Sequence, residues 1–199
     1  MIPHHQILIF CAATTDALRL TPTAFFGGPK PTNPTQQVTD KARMRLRVKS
    51  PDGKASYPLG DLDLELFGEA CPTAVGVFKA LVQDNKYAST TFHRIIRGFM
   101  VQAGEGVTTD EYDDDPMGLT LRFGLGALAM SNAGEPNSSN AQFFISTARA
   151  DELDGNYVII GRVAPDSINV LKQVEKCGST DGDLYNDVVI VASQLLTSS

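Results

Sequence analysis

The chain has no tryptophan in its 199 residues, so no indole reports on its core or on a bound ligand. Cysteine is scarce. Cys11, Cys71 and Cys177 are widely spaced and form no C-x-x-C pair, which argues against a zinc site and suits a reducing compartment. No apolar run is long enough to span a bilayer. Basic residues are outnumbered, 17 Lys and Arg against 23 Asp and Glu, for a formal net charge of -6. That balance argues weakly against nucleic acid or an anionic membrane as the main partner. The short apolar stretch 7–13 has no Lys or Arg before it, only His4 and His5, so it lacks the charged start of a secretory signal and the arginines of a mitochondrial presequence. G-x-S-x-G, Walker-type and dinucleotide-binding motifs are also missing, which weakens hydrolase, nucleotide and redox readings. Neither a cofactor nor a metal is expected.

What is present suits one globular domain with an extension: 42% apolar residues is ordinary, and the length can bury a core without staples. Residues 14–40 are rich in Thr and Pro, with Gly27-Gly28-Pro29-Lys30-Pro31, and read as an irregular arm. The boundary falls near Asp40, giving an extension over 1–40 and a domain over 41–199. Met44, Leu46 and Val48 alternate with Arg45, Arg47 and Lys49, and Leu62, Leu64 and Leu66 alternate with Asp61, Asp63 and Glu65. Each pattern predicts a strand with one wet face, and the two are expected to pair as a hairpin. Cys71-Pro72-Thr73 opens a helix whose apolar face is Ala74, Val77, Phe78, Leu81 and Val82, ending at Asp84-Asn85. A second helix is expected over 166–176, with Asp166 as N-cap and Ile168, Val170, Leu171 and Val174 as anchors. Further strands read over 127–131, 141–146, 157–163 and 188–195. Asp110 to Asp115 holds five acids in six residues without EF-hand spacing and reads as a solvated loop. Asn137-Ser138-Ser139 matches the glycosylation pattern and, with no secretory signal, reads as accidental. Many short strands with two helices point to an antiparallel sheet closed into a barrel.

The stretch 91–104 reads as two short strands joined near Gly98. It places Arg94 among large apolar neighbours, Phe92 and Ile96 sharing its parity, with Gln102 and His93 close by in sequence. An arginine in an apolar wall is costly unless its five donors find partners. Two readings stand: an arginine that snorkels to water, or one that meets a ligand.

Three blocks carry a resemblance. They are Phe92-His93-Arg94-Ile95-Ile96-Arg97-Gly98-Phe99-Met100-Val101-Gln102; Met130-Ser131-Asn132-Ala133-Gly134 followed by Gln142-Phe143-Phe144-Ile145-Ser146-Thr147; and Leu153-Asp154-Gly155-Asn156-Tyr157 running on to Val163. Over roughly residues 42–196 the chain resembles the cyclophilin family of peptidyl-prolyl cis–trans isomerases. The resemblance implies a mainly β fold, a closed eight-stranded antiparallel barrel capped by two α-helices. It implies an isomerase of Xaa-Pro bonds in protein folding, acting on proline-containing peptides or proteins. Arg94 is similar to the family's catalytic arginine. Phe99, Met100, Phe144 and Leu153 resemble the proline-pocket wall. Gln102 and Asn132 resemble the groups that hold the substrate backbone, and Ser131 and Gln142 line the same groove. Tyr157 stands where many members have histidine, Arg97 where proline is common, and Glu152 where many have tryptophan. Because a glutamate cannot donate the indole's hydrogen bond, weak cyclosporin binding is expected. His93, beside Arg94 and so on the opposite face, reads as structural. The alternative function is a low-activity binding subunit of a larger assembly, docked through residues 1–40. A cytoplasmic setting is expected, with a mitochondrial interior as the alternative.

Overall fold

A computed structural model describes residues 36–197; the arm read from sequence lies outside the described residues up to residue 35, Cys11 and the apolar stretch 7–13 included. Strand β1 (Asp40–Lys49) buries Ala42, Met44 and Leu46 completely and turns Arg43 and Arg45 outward. Strand β2 (Ser56–Leu66) answers with Asp63 opposite Arg43 and Asp61 opposite Arg45, in antiparallel register. Arg43 grips Asp63 with two bonds of 2.6 and 2.8 Å. The alternation therefore builds both a buried leucine face and a cross-strand ion-pair ladder, each such pair worth about 0.2–1 kcal/mol.

Helix α1 (Pro72–Gln83) starts at its proline and is followed by Asp84 as C-cap. Its buried stripe is Ala74, Val75, Phe78 and Val82; Val77 and Leu81 flank it half-buried, a rotation from the expected face. Next come β3 (Arg94–Ile96), β4 (Met100–Ala103), a four-residue helix α2 (Pro116–Leu119), β5 (Ala127–Asn132), β6 (Ser139–Ser146) and β7 (Ile159–Val163). Helix α3 (Ile168–Glu175) and β8 (Asp187–Leu196) complete the described chain.

Two expectations about the helices change. Short α2 makes three α-helices rather than two among the described residues, because Pro116 opens a turn directly after the acidic run read as loop. At α3 the cap falls not on Asp166 but on Ser167, after a 3-10 turn over Pro165–Ser167, and no side chain caps the helix. The Ser167 hydroxyl is committed to β2, accepting from Asp63 N–H at 3.0 Å and donating to the Asp61 carbonyl.

The eight strands form one antiparallel sheet in the order β3-β4-β6-β5-β7-β2-β1-β8, curled around the core. The expected closed barrel is corrected here: no ladder joins β3 to β8, and the curled sheet stays open. Strand β3 is only three residues long, and the chain entering it turns through Ser89 in the left-handed region (φ 67°). That entry segment touches β8 through the single bridge Thr91–Val189 and a few backbone bonds, such as Phe92 N–H to the Val188 carbonyl at 2.9 Å. The core inside the curl is centred on Phe78, Tyr87, Phe92 and Phe143, with Phe143 meeting the other three rings edge-on.

Candidate functional site

Four strands set out the site. Arg94 on β3 stands opposite Gln102 on β4, Gln102 opposite Phe144 on β6, and Phe144 opposite Ala129 on β5. Residues in register on one face of a sheet project together. This row brings a cation, an amide and an aromatic ring to one pocket. The β3–β4 turn passes through Gly98 at φ 77°, a conformation open to glycine without steric cost, and delivers Phe99 and Met100 to the same pocket. Ser131 and Asn132 at the end of β5, with Leu153 and Tyr157 from the segment between β6 and β7, close the wall.

All nine residues lining this pocket are among the eleven singled out from sequence: Gln142 and Glu152 lie outside the lining. Gln142 reaches the pocket indirectly, its Oε1 accepting from Gln102 Nε2 at 2.9 Å. Glu152 is exposed in a 3-10 turn over Asp151–Leu153, one residue before the buried Leu153. Asn132 is tied into the wall at both ends of its amide, donating to the Asn156 carbonyl at 2.9 Å and accepting from Gly134 N–H at 3.1 Å. The floor is held from behind: Phe144 meets Tyr157 edge-on at 5.0 Å and stacks on Phe123 at 5.6 Å. Phe123 N–H donates to Asp154, whose other oxygen takes Arg122 Nη1 at 2.9 Å. Phe123, Asp154 and Asn156 are supports the sequence reading did not assign. Leu-Asp-Gly signals a turn there, but nothing local tells what Asp154 would hold.

Electrostatically the pocket is simple. Arg94 is half-buried, and among the described residues its guanidinium has neither a hydrogen-bond nor an ion-pair partner. Its neighbour His93 has a buried Nδ1 without a partner; burial pushes its pKa below the ordinary value, and the nearby Glu105 works in the opposite direction. Among the described residues the Ser131 hydroxyl meets only Gln102 Nε2, at 3.5 Å, and no general base is hydrogen-bonded to it. Among the described residues no group of three His, Cys, Asp or Glu side chains is placed to hold a metal ion. The arrangement offers a free planar donor at the edge of an apolar, aromatic-floored pocket.

The fold is an open, curled antiparallel sheet that carries an arginine-edged apolar pocket. The family of cyclophilin type peptidyl-prolyl cis-trans isomerases matches residues 52–194, which span every residue of the pocket. The chain belongs to this family.

Proposed function

We propose that the protein is an active peptidyl-prolyl cis–trans isomerase with Arg94 as its catalytic residue. The observation that carries the reading is the unengaged Arg94 guanidinium beside an apolar, aromatic-floored pocket. Rotation about an Xaa-Pro bond passes through a state without amide resonance, over a barrier of about 18–20 kcal/mol. No bond is made or broken, so the chemistry needs neither nucleophile nor metal. Losing resonance concentrates a lone pair on the prolyl nitrogen. A preorganised N–H donor aimed at that nitrogen favours the twisted state over either planar one. A guanidinium suits the task better than an ammonium because its planar fork fixes direction. Phe99, Met100, Phe144 and Leu153 take the proline ring. Gln102, linked to Gln142 and Ser131, presents an amide to the peptide backbone while the other side of the bond turns.

The test is NMR exchange spectroscopy on an Ala-Pro peptide with catalytic amounts of protein. Wild type is expected to give cis–trans exchange peaks. Arg94→Ala is expected to reduce turnover by about 10²–10³-fold, the scale for removal of one preorganised donor, with an unchanged melting temperature. Near-wild-type exchange in the variant removes Arg94 from the mechanism. Line-broadening without exchange in wild type means a groove that binds and does not turn over.

A further inference from the structure

The pocket's chain neighbours carry carboxylates that have no ion-pair partner among the described residues. Leu153 forms part of the wall, and Glu152 precedes it at a Cα spacing of about 3.8 Å. Around Glu152 the other charges are matched: Asp151 pairs with Arg149 at 2.6 Å and Asp154 with Arg122 at 2.9 Å. The Glu152 side chain has no partner among the described residues; only its backbone carbonyl is used, by Asn156. Glu135 follows pocket residue Asn132 and is likewise exposed and unpaired. Cations near the pocket are engaged elsewhere, Arg97 on the carbonyl of Gly178 at 3.0 Å, Arg122 and Arg149 as above. Arg94 is the exception, and it belongs to the pocket itself, where the proline would sit.

We propose that the groove selects proline segments with a lysine or arginine next to the Xaa-Pro pair, and that Glu152 is the principal specificity-determining carboxylate. This rests on the reading of the pocket as a proline site. The proline ring occupies the neutral pocket, while residues flanking it run over a rim whose free charge is negative. A basic flank gains attraction there and an acidic flank meets repulsion, and complementarity of this kind sets partner choice more than absolute affinity.

The experiment compares Lys-Ala-Pro-Lys and Glu-Ala-Pro-Glu peptides, each blocked at its ends, with the full chain and with Glu152→Lys and Glu152→Gln. Exchange spectroscopy gives kcat/KM, and chemical-shift titration gives Kd. The expected lysine-over-glutamate ratio in wild type is about fivefold, the scale of an exposed ion pair. It should approach unity near 1 M salt, where screening acts within about 3 Å, and should fall in Glu152→Gln and further in Glu152→Lys. A ratio of one in wild type, or the same ratio in both variants, overturns the proposal. If neither peptide is turned over, the isomerase reading fails, and the Kd ratio decides the charge selection by the same criteria.

Discussion

Arg94 and His93 are consecutive and face opposite surroundings. Arg94 is half-buried and keeps donors at a pocket where a ligand can use them. His93 turns inward, where burial favours the neutral ring and pushes its pKa down, with Glu105 opposing and Arg94 reinforcing that shift. The consequence for stability has a definite sign. The unfolded histidine titrates near its ordinary value of about 6.5, above the folded value, so the unfolded chain binds more protons in the window between the two. Stability from the neutral His93 is therefore complete above about pH 6.5 and is lost as pH falls through the lowered folded pKa. Denaturant midpoints measured from pH 8 down to pH 5 should be level first and then decline, and His93→Gln should flatten the part of the decline that begins near neutrality. An identical profile in the variant would exclude His93 as the source.

At the scale of elements, the acidic run is where local reading and structure part most usefully. Asp110 to Asp115 looks like solvated charge, and Asp110, Glu111 and Asp113 are indeed exposed. Asp115 is 6% exposed and accepts from Thr73 N–H at 3.3 Å and Ala74 N–H at 2.8 Å. Cys71, the N-cap residue of α1, offers no capping bond, and Pro72 has no N–H to satisfy. Asp115 thus caps the helix from 42 and 41 residues beyond the two amides it accepts from, and sets a negative charge at the positive end of its dipole. Capping by a sequence-distant side chain leaves no local signature, so no periodicity could have found it. The same holds for the turn between β3 and β4. Arg97, which stands where proline is common in the family, donates from its backbone to the Ser179 carbonyl, while Gly98 N–H bonds Glu175 at 2.7 Å. These contacts pin the turn carrying Phe99 to the end of α3. For Asp115→Ala the expected loss is about 1–2 kcal/mol, a fall in Tm of about 2–4 °C per kcal/mol in a domain of this size. Chemical denaturation followed by circular dichroism measures it, and a variant as stable as wild type would show that the cap contributes nothing.

For the whole molecule, what was legible in sequence is what short-range pattern encodes. The alternation at Met44, Leu46, Leu62 and Leu64 gave the first hairpin, and the family resemblance carried by the contiguous blocks around Arg94, Phe144 and Leu153 named the nine residues that line the pocket. Closure of the sheet, the Ser167 contact to β2 and the Phe123 support depend on partners far along the chain, and pattern alone does not choose among them. The extent of the folding unit is also a long-range question, and the sheet answers it in a way the family match does not. That match begins at residue 52, after β1 has ended. Yet β1 lies inside the sheet, in register with β2 through ten residues and with β8 through nine. It also sends Ala42, Met44 and Leu46, all fully buried, into the core. Burying a methionine or leucine side chain contributes about 1.5–3 kcal/mol each, and removing β1 also strips two ladders, against a typical total stability of about 5–15 kcal/mol. A chain starting at residue 52 should therefore fail to fold cooperatively. One starting at residue 36 keeps the Thr39 N–H bond to the Leu66 carbonyl at 2.9 Å and the Gly68 N–H bond to Thr39 Oγ1. It should melt within about 3 °C of the full chain, a difference of about 1 kcal/mol or less. Native-like amide dispersion in the shorter fragment would make β1 dispensable, whereas a large loss of Tm in the longer one would place part of residues 1–35 in the folding unit.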